Sequence, residues 1–168
     1  MRSHFAWWGT LAAGLLLQTI VLTPIVGDAW RPDFTRALVL WVALTGRPKG
    51  GALLAFAAGM IVDALSGSPL GFTAFLRLCI YGIARPARGV LEHSPVVFFL
   101  GPVAVLAETV LVWLMSALAF SNKVDLAVIL GVGLRQGLIE VFAVPLVFVT
   151  LEFLSGYRTE WGVKLDPR

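Results

Sequence analysis

Between Phe5 and Leu154 the chain is a succession of apolar runs separated by short turns. Several runs approach the ~20 residues that a helix needs to cross a bilayer. Of the 168 residues, 58% are hydrophobic and 14% charged; a soluble domain carries about 25% charged residues. No soluble core of this size needs so much apolar surface, so lipid is read as the solvent for most of it. The net charge of +3 sits mostly in turns, without a basic stripe interleaved with aromatics. That pattern speaks for membrane orientation and against a nucleic-acid partner.

The expected fold is an all-α membrane protein with six transmembrane helices, over 5–26, 33–45, 51–66, 70–84, 96–120 and 135–154. They form one domain, 1–155, followed by a polar tail, 156–168. The first run exceeds the ~7–15 residues of a signal peptide's apolar region and lacks a small-x-small cleavage site, so it is read as a retained helix bent or ended near Pro24. The last apolar stretch, Val124 to Leu154, is too long for one untilted span. Its part before Arg135 is expected to be tilted or interfacial. With six spans, Arg2, Arg47, Lys49, Arg85, Arg88, Arg158, Lys164 and Arg168 share one side, and Arg31 and Lys123 the other. The positive-inside rule then makes both termini cytoplasmic. Trp30 and Trp161 fall near expected interfaces.

The ionisable residues inside these runs are the informative ones: Asp33, Arg36, Asp63, Arg77, Glu108, Arg135 and Glu140. A charge at the centre of a membrane helix costs ~2.5–3.5 kcal/mol on insertion scales, so each asks for a partner. Counting residues from the segment ends puts Arg36 and Asp63 at similar shallow depth near the outer face, which predicts a pair. Arg77 and Glu108 fall near the centre and predict a second pair, in which reversing both charges restores function better than reversing either. Arg135 and Glu140 are five apart, a poor spacing for each other, and are expected to face different neighbours. A structural charge network that fixes helix register is favoured over an ion or proton pathway, because arginines balance the acids.

Small residues supply a second pattern. Gly51, Ala55, Gly59 and Asp63 recur every four positions and line one helix face, and Gly133 and Gly137 form a shorter one beside Arg135. Such faces allow close backbone approach between membrane helices. The uncharged turn Ser66, Gly67, Ser68, Pro69, Leu70, Gly71 has the chemistry of a tight outer connection. Thr73, Arg77 and Tyr81 share a face.

Catalytic and cofactor chemistry is not announced. Cys79 is single and lies in an apolar run, where a buried small hydrophobe is expected. His4 and His93 stand apart from other metal ligands. Ser66-Gly67-Ser68 has no histidine or acid placed to serve a nucleophile. The expectation is a protein that is not an enzyme and holds no cofactor or metal.

The ordered features resemble the MreD family of bacterial rod shape-determining membrane proteins. The resemblance rests on an N-terminal apolar helix and on RPDF (Arg31 to Phe34) opening a short second segment. It continues through GMIVDALSGSPLG, with Gly59, Asp63 and the turn to Gly71, an arginine-bearing fourth segment, and Pro145 in the last helix. It spans nearly the whole chain. What it implies is an inner-membrane scaffold of the cell-elongation complex that supports peptidoglycan synthesis. The implied partners are the bitopic protein MreC, the pair of RodA and a class B penicillin-binding protein, and, indirectly, MreB filaments. It also implies a helical arrangement similar to the substrate-binding subunits of energy-coupling-factor vitamin transporters, and hence an alternative role as a small-molecule-binding subunit. On the scaffold reading, Asp33, Arg36 and Asp63 either contact a bitopic partner or brace their own helices.

Overall fold

The computed structural model describes residues 32–46, 49–88, 97–119 and 125–155, with residues 9 and 12–14. The expected first helix (those four positions apart), Pro24, Trp30, Trp161, both histidines, the tail 156–168 and the turn charges Arg2, Arg31, Arg47, Lys123, Arg158, Lys164 and Arg168 lie outside the described residues.

All regular structure among the described residues is helical. Helix α1 runs Phe34–Thr45, α2 Gly51–Ser66, α3 Phe72–Ala84, α4 Val97–Ala119 and α5 Leu126–Ser155, with a 3₁₀ turn at Arg85–Ala87. Helices α4 and α5 are long and apolar enough to cross a membrane. At 1.5 Å per residue α1 and α3 extend only about 20 Å, whereas α4 reaches about 35 Å and α5 about 45 Å.

Helix α1 is the centre of the molecule. Asp33 caps its start, accepting hydrogen bonds from the backbone N–H groups of Thr35 and Arg36, both at 3.1 Å. Its end turns at Gly46 (φ +67°), whose N–H returns to the Val42 carbonyl at 2.9 Å. The Arg88 guanidinium occupies the space a side chain at Gly46 would need, so glycine is required there twice over. Every residue from Thr35 to Thr45 is buried, with Trp41 and Val39 among the largest enclosed side chains. Helices α2, α3, α4 and α5 all pack against it. A helix apolar on all sides is stable only when enclosed in this way.

The small-residue face of α2 is spent inside the fold. A Cβ on Gly59 would lie 2.8 Å from the Thr73 carbonyl carbon and closer still to the Ala74 backbone. One on Gly51 would lie 2.6 Å from Val42 and 2.9 Å from the Tyr81 ring. Ala55 is fully buried. Helices α2 and α3 thus form a hairpin whose backbones nearly touch.

Helices α4 and α5 form a second antiparallel hairpin. Gly101 faces the Glu140 backbone, Gly137 faces Pro102, and Gly133 faces Thr109. Their outer faces carry exposed Phe99, Leu118, Leu138, Phe142 and Phe153, which lipid would cover. Helix α5 is continuous through Arg135, with Pro145 inside it. Residues 126–134, expected as a tilted or interfacial piece, are continuous with the last helix. A long span can tilt or overhang the hydrocarbon rather than split.

Candidate functional site

Polar side chains from four helices converge on one buried cluster: Asp33, Thr35 and Arg36 from α1 and its cap, Arg77 from α3, Glu108 from α4 and Glu140 from α5. Glu108 is at the midpoint of α4 and Glu140 close to that of α5. Arg36, Arg77 and Glu140 are essentially sealed from solvent, while Asp33 and Glu108 form the slightly open edge.

Each guanidinium is surrounded by acceptors. Arg36 donates Nε to Glu108 Oε2 at 2.7 Å and Nη1 to Glu140 Oε1 at 2.9 Å. Its Nη2 lies 2.7 Å from Glu108 Oε2 and 3.4 Å from Asp33 Oδ2. Arg77 donates Nη1 to both oxygens of Glu108 at 3.0 Å, Nε to Thr35 Oγ1 at 3.2 Å, and Nη2 to Asp33 Oδ2. The Thr35 hydroxyl in turn donates to Asp33 Oδ1 at 2.6 Å. Glu140 Oε1 also accepts the Asp33 backbone N–H at 2.9 Å, which ties the start of α1 to the middle of α5. Its other oxygen is buried and accepts no hydrogen bond. The planar fork of arginine suits such multiple recognition of carboxylates.

Two expectations change. Arg36 does not pair with Asp63. Asp63 is buried at the far end of α2, where it organises the turn to α3. It accepts from Ser68 Oγ at 2.9 Å, the Gly71 N–H at 2.8 Å and the Thr73 N–H at 3.0 Å. The carboxylate thereby caps α3 from the end of the preceding helix, with Ser66 joined to Ser68 at 2.8 Å and Gly67 and Gly71 at positive φ. Depth counted along each segment missed this because α1 starts well inside the protein, level with the middles of α4 and α5. Arg135 also stays outside the cluster, on the exposed face of α5, pointing away from Glu140.

Arg77 and Glu108 do meet, but not as an isolated pair, since each has a second opposite charge. Asp33, Arg36, Arg77, Glu108 and Glu140 are brought together; Asp63 and Arg135 are not. Thr35 was not singled out from the sequence, although Asp33-Phe34-Thr35 carries the spacing of a capping turn that signals it. Gly101 was missed too, and only its place against Glu140 reveals its role. Cys79 is half-buried rather than enclosed. Tyr81 receives a hydrogen bond from Arg85, whose guanidinium also stacks over its ring at 5.5 Å.

Beside the cluster, α4 and α5 part to leave a crevice of about 290 Å³. Arg36, Glu108, Thr109 and Gln136 form its polar lining, and Val112, Val128 and Val132 are among its apolar walls. Among the described residues, no group of His, Cys, Asp and Glu is arranged to hold a metal ion.

A family model described as rod shape-determining protein MreD matches residues 1–157. No curated protein and no solved structure matches the chain.

Proposed function

The chain belongs to the MreD family of rod shape-determining membrane proteins, and on that premise we propose that it is an inner-membrane scaffold of the bacterial cell-elongation complex. In this reading it binds MreC, supports peptidoglycan synthesis by RodA and its class B penicillin-binding protein, and connects indirectly to MreB filaments. The supporting observation is the ion cluster. Every nitrogen of Arg36 and Arg77 is committed to an acceptor within the molecule, so the charges hold four chain elements in one arrangement. A relay needs groups that can exchange partners or protons; guanidiniums this fully engaged act as a brace. Expression of the chain in cells deleted for their own family member should restore rod shape, and MreC should copurify in mild detergent. Cells that stay round despite normal expression would count against the scaffold.

The same reading includes six spans with cytoplasmic termini and an arrangement similar to the substrate-binding subunits of energy-coupling-factor transporters. A Lys49→Cys variant should then be shielded from a membrane-impermeant thiol reagent in intact spheroplasts, and Leu70→Cys should be labelled. Equal labelling of both would refute that topology.

The crevice favours a second reading, a vitamin-type binding subunit. Its volume lies at the lower edge of the ~300–1,000 Å³ typical of small-molecule sites. Copurification of a transporter ATPase pair instead of MreC would support this second reading.

A further inference from the structure

We propose that the outward face of α5 receives a membrane-spanning helix of a partner protein, and that an aspartate or glutamate on that helix pairs with Arg135 at mid-depth. The inference rests on the scaffold reading and adds the surface and the chemistry of the contact.

Charge is the first argument. Arg135 is exposed and lies inside the apolar stretch Ala127–Phe153 of α5. Its neighbours in the hairpin fix its depth. Gly133 faces Thr109 and Gly137 faces Pro102, so Arg135 is within about one helical turn of Glu108, the midpoint of α4. Among the described residues it has no hydrogen-bond or ion-pair partner, whereas Arg36 and Arg77 each meet carboxylates. A charged side chain at this depth is costly in lipid and is ordinarily paired inside a bundle. The pairing that Arg135 lacks within its own chain is supplied across an interface.

The shape of the face selects a helix. Val128, Arg135, Phe142 and Val149 recur every seven positions, and Gly131 and Leu138 follow the first two by three. All six are exposed. This is the seam along which helices pack at a small crossing angle, and a single polar residue in it sets the register. A Cβ added at Gly131 would meet nothing within 4 Å, so the surface one turn from the arginine is open to close approach. The acid comes from another protein. In a second copy Asp33, Glu108 and Glu140 are held in the cluster, Asp63 is held in its turn, and Asp125 and Glu152 stand near opposite ends of α5. The chain's own first apolar run, Phe5 to Val26, contains no Asp or Glu. A phospholipid phosphate is held at the interface, away from this level.

The test uses the full-length chain in native membranes, with the photo-crosslinking residue p-benzoylphenylalanine in place of Phe142, two turns from Arg135 on the same face. The expected product joins it to a membrane segment of another protein, and mass spectrometry finds an aspartate or glutamate about seven residues, two helical turns, from the point of attachment. Arg135→Glu removes no contact within the described fold and should lower the yield roughly tenfold, as a loss of about 1.4 kcal/mol would. Changing the partner's acid to arginine should restore the yield in the Arg135→Glu chain. The proposal is overturned by a partner segment without an acid at that distance, or by a product with a second copy or the chain's own N-terminal segment. Adducts to lipid alone, no adduct, a yield insensitive to Arg135→Glu, or a loss that the compensating change fails to restore would overturn it equally. Rod-shape complementation by the unaltered chain, scored in parallel, reports on the scaffold role separately: cells that recover while the crosslink fails leave that role standing and remove the Arg135 contact.

Discussion

Glu140 shows how much a single side chain decides here. One of its oxygens joins the α1 N-terminus and Arg36, and the other is buried without a donor. Gln keeps an acceptor for both bonds and places an N–H₂ where the idle oxygen was. Glu140→Gln is therefore expected to stay within about 1 kcal/mol of the parent in detergent unfolding, whereas Glu140→Leu leaves a buried guanidinium short of a partner and loses about 3–5 kcal/mol. Equal losses for both would mean that the negative charge itself, not the geometry of acceptance, holds the site. Asp63 plays a different part, because its partners are a hydroxyl and backbone N–H groups rather than arginine. Asp63→Ala should lower stability by about 2–3 kcal/mol, with Asp63→Asn intermediate. An unaltered melting temperature for Asp63→Ala would show that the turn closes without it. Both acids stood out in the sequence as misplaced in lipid, yet the partner expected for Asp63 was the wrong one. A residue's depth was inferred from its distance to a segment end, and that inference fails when a segment begins inside the protein.

At the level of elements, the glycine pattern in α2 was legible as a packing face, since four-residue spacing follows from helix geometry alone. What it packs against was not. The face meets α3, its immediate neighbour in the chain, and at Gly51 also Val42 of α1, so these glycines are closed to any partner. Gly59→Ala should destabilise the protein by about 1–3 kcal/mol through overpacking, because the obstructing atoms are backbone. Gly82, where an added Cβ would meet nothing within 4 Å, is the control. Gly82→Ala should be neutral or stabilising by up to about 1 kcal/mol through helix propensity. Thermal unfolding of the two variants side by side distinguishes them, and matching curves would contradict the close approach of α2 and α3. The continuity of α5 belongs to this scale as well. The last apolar stretch was divided at Arg135 because it is too long for one untilted span; the helix nevertheless runs unbroken through that residue, whose side chain is on the exposed face.

For the whole molecule, the cluster makes helix exchange a collective event. Arg77 and Glu108 cannot be reversed as a private pair. A Glu at 77 would face Asp33 and an Arg at 108 would face Arg36. The double variant Arg77→Glu/Glu108→Arg is accordingly expected to rescue neither stability nor rod-shape complementation above the single variants, contrary to the pairwise expectation. Full recovery in the double variant, scored by cell shape and protein yield, would show that the pair acts alone. The arrangement also explains how a short α1 is tolerated. Its polar start is inside the protein, where irregular backbone survives only if its hydrogen bonds are met, and the Asp33 and Glu140 carboxylates accept from its N–H groups.

The sequence by itself determined that this is a membrane protein, that the regular structure of its described residues is helical, and which residues lipid would not accept. Those conclusions follow from local chemistry, from the length of apolar runs and the cost of charge without water. Only the tertiary structure decided that two arginines and three acids share one site, that Asp63 serves a turn, and that Arg135 looks outward. Each of these depends on rotation and depth of helices relative to one another, which hydrophobicity leaves undefined when both the interior and the solvent are apolar.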